Sequence, residues 1–414
     1  MDPSSKLRHA GAAAGALLAT VSVSHAAHAI PDCSTLPSPI YAVGGSSPVP
    51  IFAKVAAALA AATPPVTFVY YSAGQGGCNG VTDITTAGTL LTGTANYWSS
   101  TGTALTCNLQ DLTATPANPG TVPDFGVSGT YASLCGSPLP SGFKEFLGPI
   151  QDVDFIVPVQ SSATSISAAA AYFVYGFGGQ SPNPYTVENW GAPANIFTRS
   201  TASTAAIIAA LGIGLPVATL SATGTQSSSS SNLLTAVGAV TPGAGTDAIG
   251  FVSGEYADGN TSSATPKIKV LAYQHTGQSC GWLPNSAPNT YDKLNVRTGL
   301  YALWSNVHFI AAVDGTGTPT NPRAKSFIGY FTGSPPTGID VDALTAQAGA
   351  TLDCAMEVTR TTDMGPLLPY TPAAPCGCFF EKNATGVTSC TACTTTADCP
   401  ASATVCTKGY CEVN

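Results

Sequence analysis

Two distant stretches of this chain repeat one local plan: an apolar strand, a turn of small and hydroxyl residues, and an alanine-rich helix. The first runs from Ile40-Tyr-Ala-Val-Gly44 through Gly45-Ser46-Ser47-Pro48-Val49-Pro50 into Ile51–Ala62. The second is Asn195–Leu211, with Arg199, Ser200, Thr201, Ser203 and Thr204 in the turn. Alanine and leucine are strong helix formers, and proline suits a first helical turn. Further strands are expected at 66–71, 124–128, 247–252 and 269–273, with a strand pair at 300–312 and helices at 165–175 and 233–237. Strands alternating with helices point to an α/β architecture.

The second copy of the plan carries the sharper chemical signal. Between Lys144 and Lys267 the only basic residue is Arg199. Such a cation pairs either with a structural carboxylate or with an anion held at the helix start, where free N–H groups and the dipole favour negative charge. A glycine-rich loop, Ser72-Ala-Gly-Gln75-Gly-Gly-Cys78-Asn-Gly80, follows the strand at 66–71 and reads as a turn with close backbone approach.

Lys6 and Arg8, the apolar run Ala10–Val23 and Ala27-His28-Ala29 read as a secretory signal cut after Ala29. No later run is long enough to span a bilayer. The net charge of −8 argues against nucleic acid, and any anion site must work locally against that field. Thirteen cysteines in an exported chain imply disulfides, and the odd number leaves at least one without a partner in the chain. Seven lie in the polar tail beyond Pro366–Pro375, and one of them is expected to pair with Cys354 or stay free.

Other segments read as structural. Thr86–Val122 is expected to form a hairpin excursion, Phe155–Val159 a crossover, and the serine run Ser221–Ser231 a flexible linker. Gly277-Gln-Ser279-Cys280-Gly281 matches a hydrolase elbow, but that motif needs a helix after its serine, and Pro284 and Pro288 exclude one. Ser279 reads as a loop residue beside a disulfide cysteine. His275 and His308 lack metal-binding spacing, and Cys390-Thr-Ala-Cys393 reads as disulfide-forming. Neither a metal, a cofactor nor a catalytic activity is expected.

Three pieces in order, Val43–Lys54, Tyr70–Gly77 and Thr198–Thr204, with Asp124–Ser128 between the last two and Asp247–Tyr256 after them, resemble the phosphate-binding substrate-binding proteins of ABC uptake systems. The resemblance covers roughly residues 36 to 355. The tail is similar to small Asp-Cys-Pro…Gly-x-Cys modules of bacterial surface proteins. The resemblance over residues 36 to 355 implies the type II periplasmic-binding-protein architecture: two α/β lobes, two crossover strands and an anion in the cleft, here with a disulfide-rich C-terminal module added. The expected division is a signal peptide (1–29), the first part of lobe 1 (30–158), lobe 2 (159–270), a return to lobe 1 (271–360), a linker (361–375) and the Cys-rich module (376–414).

Carried over position by position, the resemblance makes Ser46, Ser47, Arg199, Ser203 and Thr204 ligand-binding residues. Gln75 stands where the family has a ligand serine and offers its amide. Gly129 replaces an aspartate that accepts the proton of hydrogen phosphate, Ala205 a ligand threonine, and Thr201 an aspartate that orients the arginine. The expected function is capture of phosphate or a similar oxyanion by a periplasmic, secreted or cell-surface protein, with an ABC permease as its partner. The alternative is a cell-surface or structural protein that keeps the fold and has lost the ligand.

Overall fold

The computed structural model describes residues 30–72, 76–113, 115–136, 138–179 and 187–413. The signal segment and Gln75 lie outside the described residues. Lobe 1 begins with β1 (Ile40–Gly44), α1 (Val49–Ala61), β2 (Phe68–Tyr71), α2 (Gly77–Thr85), β3 (Thr94–Trp98), β4 (Ala104–Asn108), β5 (Phe125–Ser128) and the long β6 (Phe143–Pro158). β1 is buried along its whole length because parallel β2 and β5 flank it and helices cover the sheet, so its sequence shows no alternation. The hairpin β3–β4 extends the sheet beyond β2, as the excursion at 86–122 suggested. Phe52, Phe68, Phe125, Phe309 and Phe327 form the aromatic centre of this lobe's core.

Lobe 2 contains β7 (Ser165–Ser167), α3 (Ala168–Phe177), β8 (Phe197–Thr198), α4 (Thr204–Ile213), α5 (Val217–Ala222), β9 (Thr225–Gln226), α6 (Ser230–Gly238), β10 (Gly250–Ser253), α7 (Gly254–Thr261), β11 (Ile268–Val270), β12 (Ala272–Gln274) and α8 (Leu294–Arg297). The chain returns to lobe 1 through β13 (Trp304–Ala312), α9 (Pro322–Phe331) and α10 (Val341–Gln347). α4 is apolar nearly all round and accordingly sits inside the lobe-2 core, ending at Gly214 with φ 75°.

Both lobes follow one strand order. In lobe 1 it is β2-β1-β5-β13-β6, and β13 is antiparallel to both of its neighbours. In lobe 2, β9 pairs with β8, the residues just before β8 bridge to Ile249 at the start of β10, and β6 follows, antiparallel to β10 and β11. Each lobe thus receives from the other one antiparallel strand between its third and fourth. β6 passes between lobes near Asp152, which faces Trp304 on β13. This is the two-lobed type II architecture with two crossover strands.

Several segments depart from expectation. Ser221–Ser231 is no linker: it completes α5, pairs as β9 and caps α6, with the Ser229 hydroxyl accepting from the Asn232 N–H. Residues 271–303, expected with lobe 1, supply Leu271, Tyr273, Val296, Tyr301 and Leu303 to the lobe-2 core. Residues 361–375 are a strap, not a free linker. It carries the ladder of β14 (Val358–Thr359) with β15 (Leu368–Pro369), packs Met364, Leu367 and Tyr370 on lobe 2, and accepts the lobe-1 Tyr131 N–H on Asp363 at 2.8 Å.

The C-terminal module holds α11 (Gly377–Thr385) and the hairpin β16 (Val405–Thr407) and β17 (Tyr410–Glu412). Cys378–Cys390, Cys393–Cys406 and Cys399–Cys411 staple it, and Cys354–Cys376 ties it to the preceding chain, the pairing expected for the odd cysteine of the tail. Phe379 and Phe380 pack with Ala346, Leu352 and Ala355, so the module shares a small core with α10. Cys33–Cys107 and Cys78–Cys135 lie in lobe 1. Cys280 is a free, exposed thiol, which corrects the expectation of a disulfide beside Ser279.

Candidate functional site

The carboxyl ends of β1, β2 and β5 in lobe 1 face those of β8, β9 and β10 in lobe 2. Helix starts and turns meet there, the position where open α/β sheets present binding groups. Ser46 and Ser47 follow β1, Gly76 and Gly77 open α2, and Gly129 follows β5. Opposite them, Arg199 and Ser203 follow β8, Ser230 opens α6, and Ser253 is the N-cap of α7.

Arg199 is 3% exposed. Its Nη1 donates to Ser230 Oγ at 3.0 Å, and its Nη2 to Ser46 Oγ at 3.5 Å and to the Ser228 carbonyl at 3.4 Å, while Nε has no partner. Among the described residues no carboxylate lies in ion-pair range of it. Burial lowers its pKa to about 10, so the guanidinium stays charged at neutral pH. A buried cation satisfied only by hydroxyls and a carbonyl is an unbalanced charge, costing several kcal/mol. The structural-carboxylate reading of Arg199 therefore finds no partner.

Ser46 is the lobe-1 counterpart. Its Oγ also accepts from the Ser230 N–H at 3.2 Å, and its carbonyl accepts from Tyr256 Oη at 3.2 Å. Ser47 contributes its carbonyl to Ser253 Oγ at 3.3 Å. Ser203 is the N-cap residue of α4, yet its hydroxyl caps none of that helix's N–H groups. Thr204 opens α4 with its side chain against Gly77 and Gly129. The structure thus brings Ser46, Ser47, Arg199, Ser203 and Thr204 to one cleft, and Gln75 is outside the described residues.

Reading the sequence missed Ser230, Ser253 and Gln151. A serine run has no apolar periodicity to betray a helix start, although Ser229, followed by the apolar Leu233-Leu234, was the one available cap signal.

The cleft is closed on itself. Ala202 of lobe 2 accepts the Cys78 N–H at the start of α2 at 3.1 Å, so the two lobes are hydrogen-bonded across the cleft. Ser47, Gly129, Gln151, Thr204, Ser253 and Ser305 enclose a cavity of about 10 Å³, room for about one water. Roomier cavities of about 400 and 660 Å³ lie against α7, β11 and β12 of lobe 2 and beside the Cys-rich module, and none of the site residues lines them. A Cβ at Gly129 would sit 2.8 Å from Thr204 Oγ1. An aspartate grafted there meets Thr204 before it meets any ligand.

No protein-family model matches the chain, and no curated protein matches its sequence. Solved structures similar to it include a protein of Clostridium perfringens assigned as a phosphate ABC transporter substrate-binding protein, with bound phosphate. It is 13% identical, with 76% of this chain and 99% of that one covered and a TM-score of 0.49. An ABC-type phosphate transport receptor from Vibrio cholerae is 14% identical over 75% and 99%, with a TM-score of 0.42. A DING protein is 12% identical over 76% and 90%, with a TM-score of 0.44. Superpositions this loose say nothing about a ligand, and the architecture rests on the strand order described above. Among the described residues no helix is long and apolar enough to cross a membrane.

Proposed function

We propose that this chain is an exported binding protein that captures a small tetrahedral oxyanion, phosphate or a close analogue, between its lobes and delivers it to a membrane permease. One observation carries the reading: Arg199 is a buried guanidinium with no carboxylate in ion-pair range among the described residues, bridged by hydroxyls from both lobes. An anion entering between Arg199, Ser46 and Ser230 would replace those mutual hydrogen bonds with charge-assisted ones, which are about twice as strong. The starts of α1, α4, α6 and α7 add N–H groups and favourable dipoles around the same point.

A second reading is supported by the closed cleft. Ser46 and Ser230 already satisfy each other and Arg199's Nη groups, and the Ala202 carbonyl takes the Cys78 N–H, around a cavity of about 10 Å³, as in a protein that had given up its ligand and kept the fold. Calorimetry of the secreted protein against phosphate, sulfate and arsenate separates the two. Micromolar or tighter binding of any of them, abolished by Arg199→Ala, is the expected result. No heat and no thermal shift with all three would leave the second reading standing.

A further inference from the structure

Gln151 sits on β6 immediately before the crossover, and its side chain lines the cleft cavity with Ser47, Thr204 and Ser253. Its Oε1 lies 3.7 Å from where a side chain at Gly129 would begin. The amide thus borders the space that this glycine leaves open. The antiparallel register of β10 on β6 ends at Ser253 opposite Val153, and Gly254 packs on the Asp152 carboxyl, which brings the next residue of α7, Glu255, 3% exposed, to the Gln151 end of β6. Among the described residues neither Glu255 oxygen nor Gln151 Nε2 makes a geometrically complete hydrogen bond. The Gln151 side chain nevertheless faces the carboxyl closely enough to favour its ionised form. Two buried polar groups without full partners beside a cavity at the binding cleft are costly unless something in the cleft uses them.

We infer that Gln151 and Glu255 form a proton-coupled selectivity element: the proton on the carboxyl decides whether the amide offers the cleft a donor or an acceptor, and so which oxyanions are accepted. The inference rests on the oxyanion-binding reading. An ionised Glu255 accepts from Nε2 and holds Oε1 toward the cavity, where Oε1 takes a hydrogen bond from a proton-bearing oxyanion. A protonated Glu255 donates to Oε1, turning Nε2 toward the cavity to donate to an oxyanion without a proton. The amide carries no charge in either state, so the repulsion a carboxylate at position 129 would impose on a bare dianion is absent.

The surroundings make the switch physiological. Burial first and then the Asp152 charge push Glu255 up to about 8, while the Gln151 amide and Lys293 act the other way. Asp154 on β6 and Asp258 on α7 share the Lys293 charge. Tyr256, next in the helix, is pushed up to about 12 and stays neutral, and it lies between Glu255 and Arg199 in the chain of charges. At neutral pH the carboxyl therefore holds its proton, and raising the pH past 8 adds a negative charge behind the cleft.

Sulfate tests this cleanly, because it carries no proton across the range and any pH dependence belongs to the protein. Its affinity for the full-length secreted protein should fall about tenfold from pH 7 to pH 9, roughly the effect of one linked proton. Glu255→Gln should bind sulfate with a flat profile over that range. Binding that falls equally in wild type and Glu255→Gln would overturn the inference and leave the oxyanion reading intact. Absence of binding to sulfate, phosphate and arsenate at every pH would overturn both. Should Glu255→Gln not fold, calorimetry of wild type at pH 8 in two buffers of different ionisation heat decides. Proton uptake with sulfate supports the coupling, and its absence ends it.

Discussion

Arg199 stands out at the residue scale because its partners are weak and come from opposite lobes. Removing a structural ion-pair residue lowers stability, whereas removing a buried cation that lacks a carboxylate relieves a desolvation cost. Arg199→Ala should therefore leave the ligand-free melting temperature unchanged or higher while weakening anion binding by about 1.5–3 kcal/mol. Thermal shift with and without phosphate measures both, and a lower ligand-free melting temperature would mark Arg199 as structural. Ser230→Ala removes the oxygen that accepts from Arg199 at 3.0 Å and should cost about 1 kcal/mol of affinity. Of these two residues only Arg199 was legible in the sequence, through its isolation from other cations. Ser230 lay inside a serine run whose composition is shared by disordered linkers, and nothing local distinguished it. The Gln151–Glu255 pair was illegible for another reason. Its members lie far apart in sequence, and only the return of the chain onto β6 brings them together.

At the scale of elements, the repeated strand–turn–helix plan located β1–α1 and β8–α4 because their helices carry strong formers directly after hydroxyl turns. β6 was recognised only at its end, 155–159. Its sixteen residues pair with different neighbours along their length and from Gly148 onward are buried on both faces, so they show no alternation. The strap was hidden by its prolines, which read as a linker. In the structure Arg360 anchors it, with its guanidinium 3.8 Å from the Trp304 ring centroid and Nη2 donating to the Ala302 carbonyl at 3.1 Å. Asp363 three residues on reaches Tyr131, so the strap touches both lobes. Arg360→Ala loses the cation–π contact and leaves carbonyls of the crossover region short of a donor. It should destabilise the protein by about 2–3 kcal/mol in urea unfolding and raise amide exchange across 358–369. Unchanged exchange there would mean the strap is held by its apolar contacts alone.

Over the whole molecule, buried carboxylates near the crossover are the dominant electrostatic feature. Lys293, itself fully buried, bridges Asp152 and Asp258 at 2.8 Å each, while among the described residues neither Asp154 oxygen makes a geometrically complete hydrogen bond and burial raises its pKa. The arrangement ties β6, α7 and the segment before α8 together at the point where the lobes meet. Its consequence for stability is set by Glu255, whose folded value of about 8 exceeds its ordinary 4.5 because burial disfavours the ionised form. The folded chain then holds a proton that the unfolded chain has released. That contribution is complete below 4.5 and is lost as pH rises through 8. His308 works in the opposite direction. Burial lowers it from 6.5 to about 3, so its contribution is complete above 6.5 and is lost as pH falls toward 3. Between pH 8.5 and 6.5 Glu255 acts with little opposition, and stability should rise by about 2 kcal/mol on acidification. Below 6.5 His308 offsets the continuing gain and the curve should flatten. Urea midpoints at pH 8.5, 6.5 and 5.5 test this in ligand-free buffer. The expected order is a clear increase from 8.5 to 6.5 in wild type and a smaller one in Glu255→Gln, where the buried Asp154 still acts in the same direction, whereas a wild-type midpoint that is equal or higher at 8.5 would show that Glu255 is ionised in the folded protein.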